Sequence, residues 1–331
     1  MIVGVSPAIR RALALAERYA QTRLAVLVVG ATGTGKELLA EYIHERSGRP
    51  GPLVDVNCCA LPRDMVESLL FGHKRGAFTG AVESTVGHIE RSDRGTLFLD
   101  ELASLAPEAQ GKLLRVLETG EVQQLGAASK RTVDLRVVSA AQDDIGSALE
   151  SGRFRRDLFQ RVAGVVIELP PLATRPEDIV PLAEHFAGLQ GRRLEPGVDR
   201  VLLNYAWPGN VRELGMVIER AGELVEDGTL PAEALATAIE IGAPHGDSRQ
   251  RLLATQPAVA TPWKALLDVC AAHGWEAQRI AEALGIHRAT LHRRLRVLGV
   301  SLREMKMSHD VPRPSRDTVR QCDFHATPSR R

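Results

Sequence analysis

Leu24-Ala25-Val26-Leu27-Val28-Val29 runs directly into Gly30-Ala31-Thr32-Gly33-Thr34-Gly35-Lys36, and a helical pattern, Glu37–Glu45, opens straight after it. A short, unbroken apolar run is what a strand buried on both faces requires. The glycines let backbone N–H groups converge on one point, at the positive end of the following helix, where phosphate oxygens can sit. Lys36 supplies a point charge for the β and γ phosphates. The plainer reading of these residues is a Gly-rich strand-to-helix turn. The strand before and the helix after make the P-loop reading the better one. The residue after the lysine is Glu37, where a Ser or Thr hydroxyl would ordinarily help to hold Mg²⁺. A carboxylate does not reproduce that hydroxyl, so Mg²⁺ ligation is expected to rest mainly elsewhere.

Similar apolar runs recur at Leu53–Val56, Thr96–Leu99, Leu135–Ala140 and Val165–Leu169, with helical patterns such as Ala8–Tyr19 and Glu108–Glu118 around them. Strands alternating with helices predict a parallel sheet with helices on both faces. Gly95-Thr96-Leu97-Phe98-Leu99-Asp100-Glu101 is one of these runs and ends in two acids. This is the Walker B pattern, with Asp100 expected on Mg²⁺ and Glu101 polarising the attacking water. The alternative is an acidic helix cap after a strand. With the P-loop upstream, the pair implies nucleotide hydrolysis rather than binding alone.

After Pro170-Pro171 the strand signal stops, and Ile179–Leu189, Val198–Asn204, Val211–Val225 and Pro231–Ile239 read as helices. The expected organisation is an α/β unit over residues 1–169, a helical lid over 170–242, a linker over 243–260, a small all-α segment over 261–302 and a disordered tail over 303–331. Pro, Gly and polar residues without periodicity mark the linker. The 331 residues fit this division. The chain carries 42 Lys+Arg against 41 Asp+Glu, for a net charge of +1, with 44% hydrophobic and 25% charged residues. These values exclude a globally basic nucleic-acid binder and a fibrous or disordered chain, but not a local basic patch. Cys58, Cys59, Cys270 and Cys322 form no CxxC pair, which argues against a zinc site or a disulfide framework and fits a reducing cytoplasm. No apolar run approaches the length of a membrane span, and Arg10 and Arg11 stand where an export signal would be apolar. No membrane partner is expected.

Gly76-Ala77-Phe78-Thr79-Gly80-Ala81, preceded by Phe71-Gly72-His73-Lys74-Arg75, narrows the reading. This hexapeptide resembles the signature loop of the bacterial enhancer-binding proteins, the AAA+ ATPases that activate sigma-54 RNA polymerase. The resemblance covers roughly Ile2 to Ile241 and resumes at Trp263–Leu302. It implies that the loop, with Phe78 and Thr79 at its tip, contacts sigma-54. Flanking glycines give a hinge, and an aromatic tip offers contact area.

The resemblance extends to single residues. Val3-Gly4 is similar to the segment that lines the adenine pocket. Asn57 is similar to a switch residue that holds the Walker B glutamate, here Glu101, until the loop engages; an amide can bond a carboxylate without neutralising it. Arg155 and Arg161, in Phe154-Arg155-Arg156-Asp157-Leu158-Phe159-Gln160-Arg161, resemble the fingers that reach a neighbouring subunit's γ-phosphate, where an arginine is worth about 10³–10⁵ in rate. Arg212, in Gly209-Asn210-Val211-Arg212-Glu213-Leu214, resembles the lid's sensor II arginine. Without the family context, each arginine reads equally well as a surface ion pair. Two departures stand out. The sensor I stretch, usually Ala-Thr-Asn, is Ala140-Ala141-Gln142, and Gln142 has a longer arm with which to orient a water or phosphate. Leu69 replaces the acid common before the signature loop. Family members often carry an N-terminal sensory domain; this chain starts almost at the ATPase core, so such control is expected through a regulatory protein acting in trans, through expression, or not at all.

Near the other end, Gln278–Leu284 has helical spacing, Gly285 breaks it, and His287–Leu298 is a basic helical pattern. Helix, tight glycine turn and basic helix form the helix-turn-helix pattern, and Ile280–Ile286 resembles the Fis-type motif of the same family. Arg288 and His292 are the expected base readers. Thr290, Arg293, Arg294 and Arg296 are expected at the groove or its phosphates. The plainer reading is a solvated basic helix. A single motif reads DNA weakly, so a dimer on inverted half-sites is expected.

The sequence therefore predicts a fold with a parallel-sheet AAA+ core, a helical lid and a small helix-turn-helix domain. It predicts an Mg²⁺-dependent ATPase that binds enhancer DNA, self-assembles from dimer to hexameric ring, and remodels the closed complex of sigma-54 RNA polymerase holoenzyme. The rivals are a DNA-binding regulator with an impaired ATPase and a remodeller of another protein target.

Overall fold

A computed structural model describes residues 2–142, 145–242 and 276–283. It separates into two compact units, Met1–Ala243 and Pro244–Arg331. The first is built on five parallel strands: β1 (Val26–Val29), β2 (Leu53–Asn57), β3 (Thr96–Asp100), β4 (Arg136–Ala141) and β5 (Val165–Glu168), in the order β2-β3-β4-β1-β5. Each coincides to within a residue or two with an apolar run of the sequence. The interior strands β3 and β4 are buried along nearly their whole length, which is why they read as continuous rather than alternating.

The period-two geometry of the strands divides their side chains between two cores. Val26, Val28, Phe98, Val138, Ala140 and Ile167 face α1 (Pro7–Ala20) and α2 (Lys36–Ser47), which contribute Ile9, Ala12, Ala16, Leu39, Ala40 and Ile43. Val56, Leu97, Leu99 and Val137 face the opposite way. They pack on α3 (Val66–Phe71), α4 (Pro107–Thr119) and α5 (Arg156–Val162) through residues such as Leu70, Leu113 and Leu158. At the start of β4 the buried Arg136 caps the end of α1, donating to the carbonyls of Tyr19 and Thr22 at 2.7 Å and to that of Ala20. Burial lowers its pKa to about 10.

The lid consists of α6 (Ile179–Leu189), a short helix at Asp199–Leu203, α7 (Asn210–Glu223) and α8 (Ala232–Gly242). The sequence reading ended strand structure at Pro170-Pro171. The lid nevertheless contains one parallel pairing, Arg193–Leu194 with Thr229–Leu230, too short for periodicity to register. Two-residue antiparallel pairs, Gly72–His73 with Thr85–Val86 and Glu121–Val122 with Arg131–Thr132, escaped notice in the same way. In the second unit α9 (Ala277–Ala283) occupies the place of the first helix of the motif. The linker 243–260, the tail 303–331, and Arg288, Thr290, His292, Arg293, Arg294 and Arg296 lie outside the described residues.

Candidate nucleotide site and signature loop

The carboxyl ends of the strands converge on one edge of the sheet, the usual ligand crevice of an open parallel sheet. Register places Asn57 opposite Asp100 and Val29 opposite Ala141. The Gly30–Lys36 loop leaves β1 there, and the Gly30 N–H donates to the Ala141 carbonyl at 3.2 Å. Gly33 and Gly35 have φ of +80° and +101°, a region that side chains disfavour. At Gly33 a Cβ would also lie 2.3 Å from the Gly209 carbonyl of the lid, so lid and loop meet at a position only glycine can occupy. Lys36 is buried, its ammonium donating to Gly30 O at 2.8 Å and Ala31 O at 3.3 Å.

A cleft of about 620 Å³ opens over this edge, lined among others by Thr32, Gly35, Lys36, Glu37, Asn57, Asp100, Glu101 and Arg212. Asp100 sits on the last residue of β3 and its Oδ1 accepts the Glu101 N–H at 3.0 Å. Glu101 is left-handed, with φ 51° and ψ 45°. Its carboxylate accepts from Gln142 Nε2 at 3.0 Å. Asn57 Oδ1 accepts instead from the N–H groups of Cys59 and Ala60, at 3.0 and 3.3 Å. Asp55 has its pKa raised, by burial first and then by the charges of Glu37 and Asp100. Burial pushes the Cys58 thiol up to about 12, helped by Asp100. The edge is thus acidic except at Lys36 and Arg212. Hard carboxylate oxygens suit Mg²⁺, which usually takes one or two of them with phosphates and water. Among the described residues no group of three or more His, Cys, Asp or Glu could hold a metal ion.

Beside the cleft lies a narrow pocket of about 80 Å³, lined by Ile2, Val3, Leu169, Leu182, His185 and Phe186 with others. Val3, which the family resemblance sets beside an adenine, is one of its lining residues. Gly4 supports the segment from behind, where a Cβ would lie 2.8 Å from Ile9 Cγ2. The lid residues of this pocket were not singled out by sequence, because Leu182 and Phe186 look like ordinary members of an amphipathic helix.

Two buried polar residues that tie the site together were also missed. Asn210 donates from Nδ2 to Thr32 O at 2.9 Å and accepts the Leu172 N–H at 2.8 Å. Asp178 accepts from Val5 N, Ser6 N and Ser6 Oγ, and pairs with Arg175, whose Nη2 donates to Thr34 O at 3.2 Å. In sequence, Thr174–Asp178 looks like an exposed polar turn. Only the unusual left-handed Asn210, at φ 54°, has a sequence signal, its place between Gly209 and the helix.

Arg155 and Arg161 do not line the cleft of their own chain. Arg155 makes a two-point contact with Asp157, Nε to Oδ1 at 3.0 Å and Nη2 to Oδ2 at 2.7 Å. That contact holds the Asp157 pKa at about 2. Arg161 donates from Nε and Nη2 to the Leu117 carbonyl. Arg212 is in the cleft, its backbone N–H donating to Gly33 O at 3.3 Å.

The Gly76–Ala81 loop follows α3. Gly76 and Gly80 have φ of +80° and +100° with open space around them, and the loop is closed by Gly76 N to Ala81 O at 2.8 Å and Ala81 N to Phe78 O at 3.0 Å. Phe78 and Thr79 are exposed at its tip, Ala77 is half-buried and Ala81 is buried. The Phe78 ring rests edge-on against His73, centroids 5.0 Å apart, and His73 Nδ1 is hydrogen-bonded to Ser68 Oγ at 2.8 Å.

Residues 2–168 match the sigma-54 interaction domain, residues 173–252 the AAA+ ATPase lid domain, and residues 264–298 the bacterial regulatory proteins of the Fis family. The Nif-specific regulatory protein of Azotobacter vinelandii is 39% identical over an alignment covering 92% of this chain and 60% of that protein. The transcriptional regulatory protein ZraR of Klebsiella oxytoca is 40% identical, over 88% of this chain and 67% of that one. The chain thus spans about two thirds or less of the length of these curated relatives. The crystal structure of NtrX from Brucella abortus in complex with ATP aligns with 91% of this chain and 70% of its own, at 31% identity and a TM-score of 0.67. RuvB of Thermotoga maritima, at 15% identity and a TM-score of 0.52, shares the fold. No helix among the described residues is long and apolar enough to cross a membrane. A parallel-sheet ATP-binding core, its lid and a Fis-family helix-turn-helix segment place this chain in the family of bacterial sigma-54-dependent enhancer-binding regulators.

Proposed function

We propose that the protein is a transcriptional activator that hydrolyses ATP to remodel the closed complex of sigma-54 RNA polymerase holoenzyme at promoters, working in the bacterial cytoplasm from an enhancer-bound position. The observation that carries this reading is the joint presence of a nucleotide cleft with Lys36, Asp100 and Glu101 at one sheet edge and, in the same unit, an exposed Phe78–Thr79 tip between two left-handed glycines.

In this reading the adenine enters the apolar pocket beside Val3 and Gly4. The loop of Gly30, Ala31, Thr32, Gly33, Thr34 and Gly35 cradles the phosphates with those backbone N–H groups that it does not spend within the chain, and Glu37 stands next to it. Lys36 leaves its carbonyl partners for the β and γ phosphates, and Arg212 approaches from the lid. Asp100 would hold Mg²⁺, which when bound would offset the negative charge of the phosphates. Glu101 accepts a proton from water as the water oxygen bonds to the γ-phosphorus. The bond from that phosphorus to the β–γ bridging oxygen breaks, leaving ADP and phosphate. Gln142 and Asn57 govern the orientation of Glu101. Arg155 and Arg161 act on a neighbouring protomer's γ-phosphate, which requires each to leave its contact with Asp157 or Leu117, so turnover depends on ring assembly, expected as a hexamer formed from dimers. The loop Gly76–Ala81 then moves against sigma-54. The helix-turn-helix residues Arg288, Thr290, His292, Arg293, Arg294 and Arg296 hold enhancer DNA. Control by a regulatory protein in trans is compatible with this arrangement.

Phosphate release measured against protein concentration tests the motor: a rise in specific activity with assembly is expected. Turnover absent at high concentration would favour a regulator with an impaired ATPase. Capture of sigma-54 in the presence of a transition-state nucleotide analogue tests the target; no capture would favour a different remodelling substrate.

A further inference from the structure

Three successive carbonyls of the Gly30–Lys36 loop are held from outside it. The Thr32 carbonyl accepts from Asn210 Nδ2 at 2.9 Å. The Gly33 carbonyl accepts from Val211 N and Arg212 N at 2.9 and 3.3 Å. The Thr34 carbonyl accepts from Arg175 Nη2 at 3.2 Å. Asn210, Val211 and Arg212 open the lid helix α7, and Arg175 lies just before α6. Asn210 and Arg175 are both buried. A peptide unit is planar and trans, so its N–H points opposite to its C=O. A carbonyl held on the lid side therefore turns the N–H of the next residue the other way. The residues after Thr32 and Thr34 are Gly33 and Gly35. Both line the cleft, and neither N–H has an acceptor among the described residues. The N–H after Gly33 belongs to Thr34 and is spent inside the loop, on the Ala31 carbonyl at 3.4 Å.

We infer that Asn210 and Arg175 are positioning residues of the phosphate cradle: by holding the Thr32 and Thr34 carbonyls, they aim the Gly33 and Gly35 N–H groups into the cleft. The inference rests on the reading of this loop as the phosphate site of a nucleotide. Each residue acts through a peptide unit rather than by touching phosphate. Asparagine suits the first position because its amide donates to Thr32 O while its oxygen accepts the Leu172 N–H. Arginine suits the second because its fixed fork of donors pairs with Asp178 and still reaches Thr34 O. The cradle is therefore set only while the lid rests on the loop, and by linkage bound phosphate favours that seating.

The test uses the full chain and a fluorescent adenine nucleotide displaced by two probes. Pyrophosphate needs only the cradle, and adenosine needs only the base pocket. Lys36→Ala is measured first: pyrophosphate bound as in wild type would end the phosphate-site reading, and the inference with it. With pyrophosphate weakened in Lys36→Ala, two variants at 210 are compared. Asn210→Asp keeps an acceptor for the Leu172 N–H but adds charge. Asn210→Gly adds no charge and suits the left-handed backbone, but drops that acceptor. Their shared loss is the donor to Thr32 O. Each is expected to weaken pyrophosphate about tenfold, the size expected for a hydrogen bond to a charged group, with adenosine unchanged. Arg175→Met is made in the Asp178→Asn background, where no buried carboxylate is left unpaired. It is expected to weaken pyrophosphate about tenfold relative to Asp178→Asn alone, again with adenosine unchanged. Pyrophosphate affinity that stays at its reference value in either Asn210 variant or in the Arg175 variant would overturn the inference. So would adenosine weakened as much as pyrophosphate, the mark of a merely structural role.

Discussion

Asp178→Ala is the perturbation whose effect can be worked most fully from the structure. Asp178 is fully buried, and its carboxylate accepts from Val5 N at 2.5 Å, Ser6 N at 2.7 Å and Ser6 Oγ at 2.6 Å. Arg175 Nη1 lies 3.7 Å away, and Arg175 is itself buried. Burial already pushes the Arg175 pKa down, with Asp178 opposing the shift. Alanine at 178 leaves that cation without its carboxylate, a loss of about 3–5 kcal/mol for one partner of a buried pair. A folded unit of this size shifts its midpoint by about 2–4 °C per kcal/mol, so the variant is expected to melt roughly 6–20 °C lower. The same carboxylate tethers the segment that carries Val3 to the apolar pocket, so a fluorescent adenine nucleotide is expected to bind about tenfold more weakly, about 1.4 kcal/mol, at a temperature where both proteins are folded. Asp178→Asn keeps the shape and an acceptor and is expected to fall between. Circular dichroism melts and nucleotide titration measure the two effects. A midpoint within about 2 °C of wild type, together with unchanged nucleotide affinity, would refute the reasoning.

Asn210→Ala removes the partner of the buried Leu172 N–H and of Thr32 O and takes away the short polar side chain that suits asparagine to a left-handed position; a stability loss of about 2–4 kcal/mol by denaturant unfolding is expected. Cys58, with its pKa at about 12 and its side chain buried, is expected to resist iodoacetamide at pH 8, whereas the exposed Cys59 reacts; peptide mass mapping reads both. Asp157, depressed to about 2 by Arg155, keeps its ion pair above the ordinary carboxylate value of 3.8 and loses it as pH falls toward 2. In Arg155→Ala its carboxyl carbon is expected to titrate near the ordinary value by NMR.

The fold was legible because its central strands are buried on both faces, which turns them into unbroken apolar runs such as Thr96–Leu99 that composition alone can locate. The same property made the phosphate loop legible, since glycines at 33 and 35 are demanded by backbone geometry and by the lid's approach to Gly33. What escaped was of two kinds. Strand pairs of two residues, such as Arg193–Leu194 with Thr229–Leu230, have no period to detect. Buried polar residues such as Asp178 and Arg175 look like surface charge until the chain brings residues 5, 6 and 34 to meet them. The partner of Glu101 belongs with these: family resemblance pointed to Asn57, while the bond to Gln142 depends on an arm length and a strand order that no local stretch encodes. Arg155 and Arg161 were legible as arginines of interest only through the family resemblance; in the structure they are bound to Asp157 and to the Leu117 carbonyl.

The proposed coupling between the nucleotide edge and the Phe78–Thr79 tip is probed most directly by Thr79→Ala in the full chain. Phosphate release and sigma-54-dependent promoter opening should be followed in the same reaction. Turnover close to wild type with promoter opening lost is the result the account requires. Opening at the wild-type rate, with the ATPase still running, would contradict it.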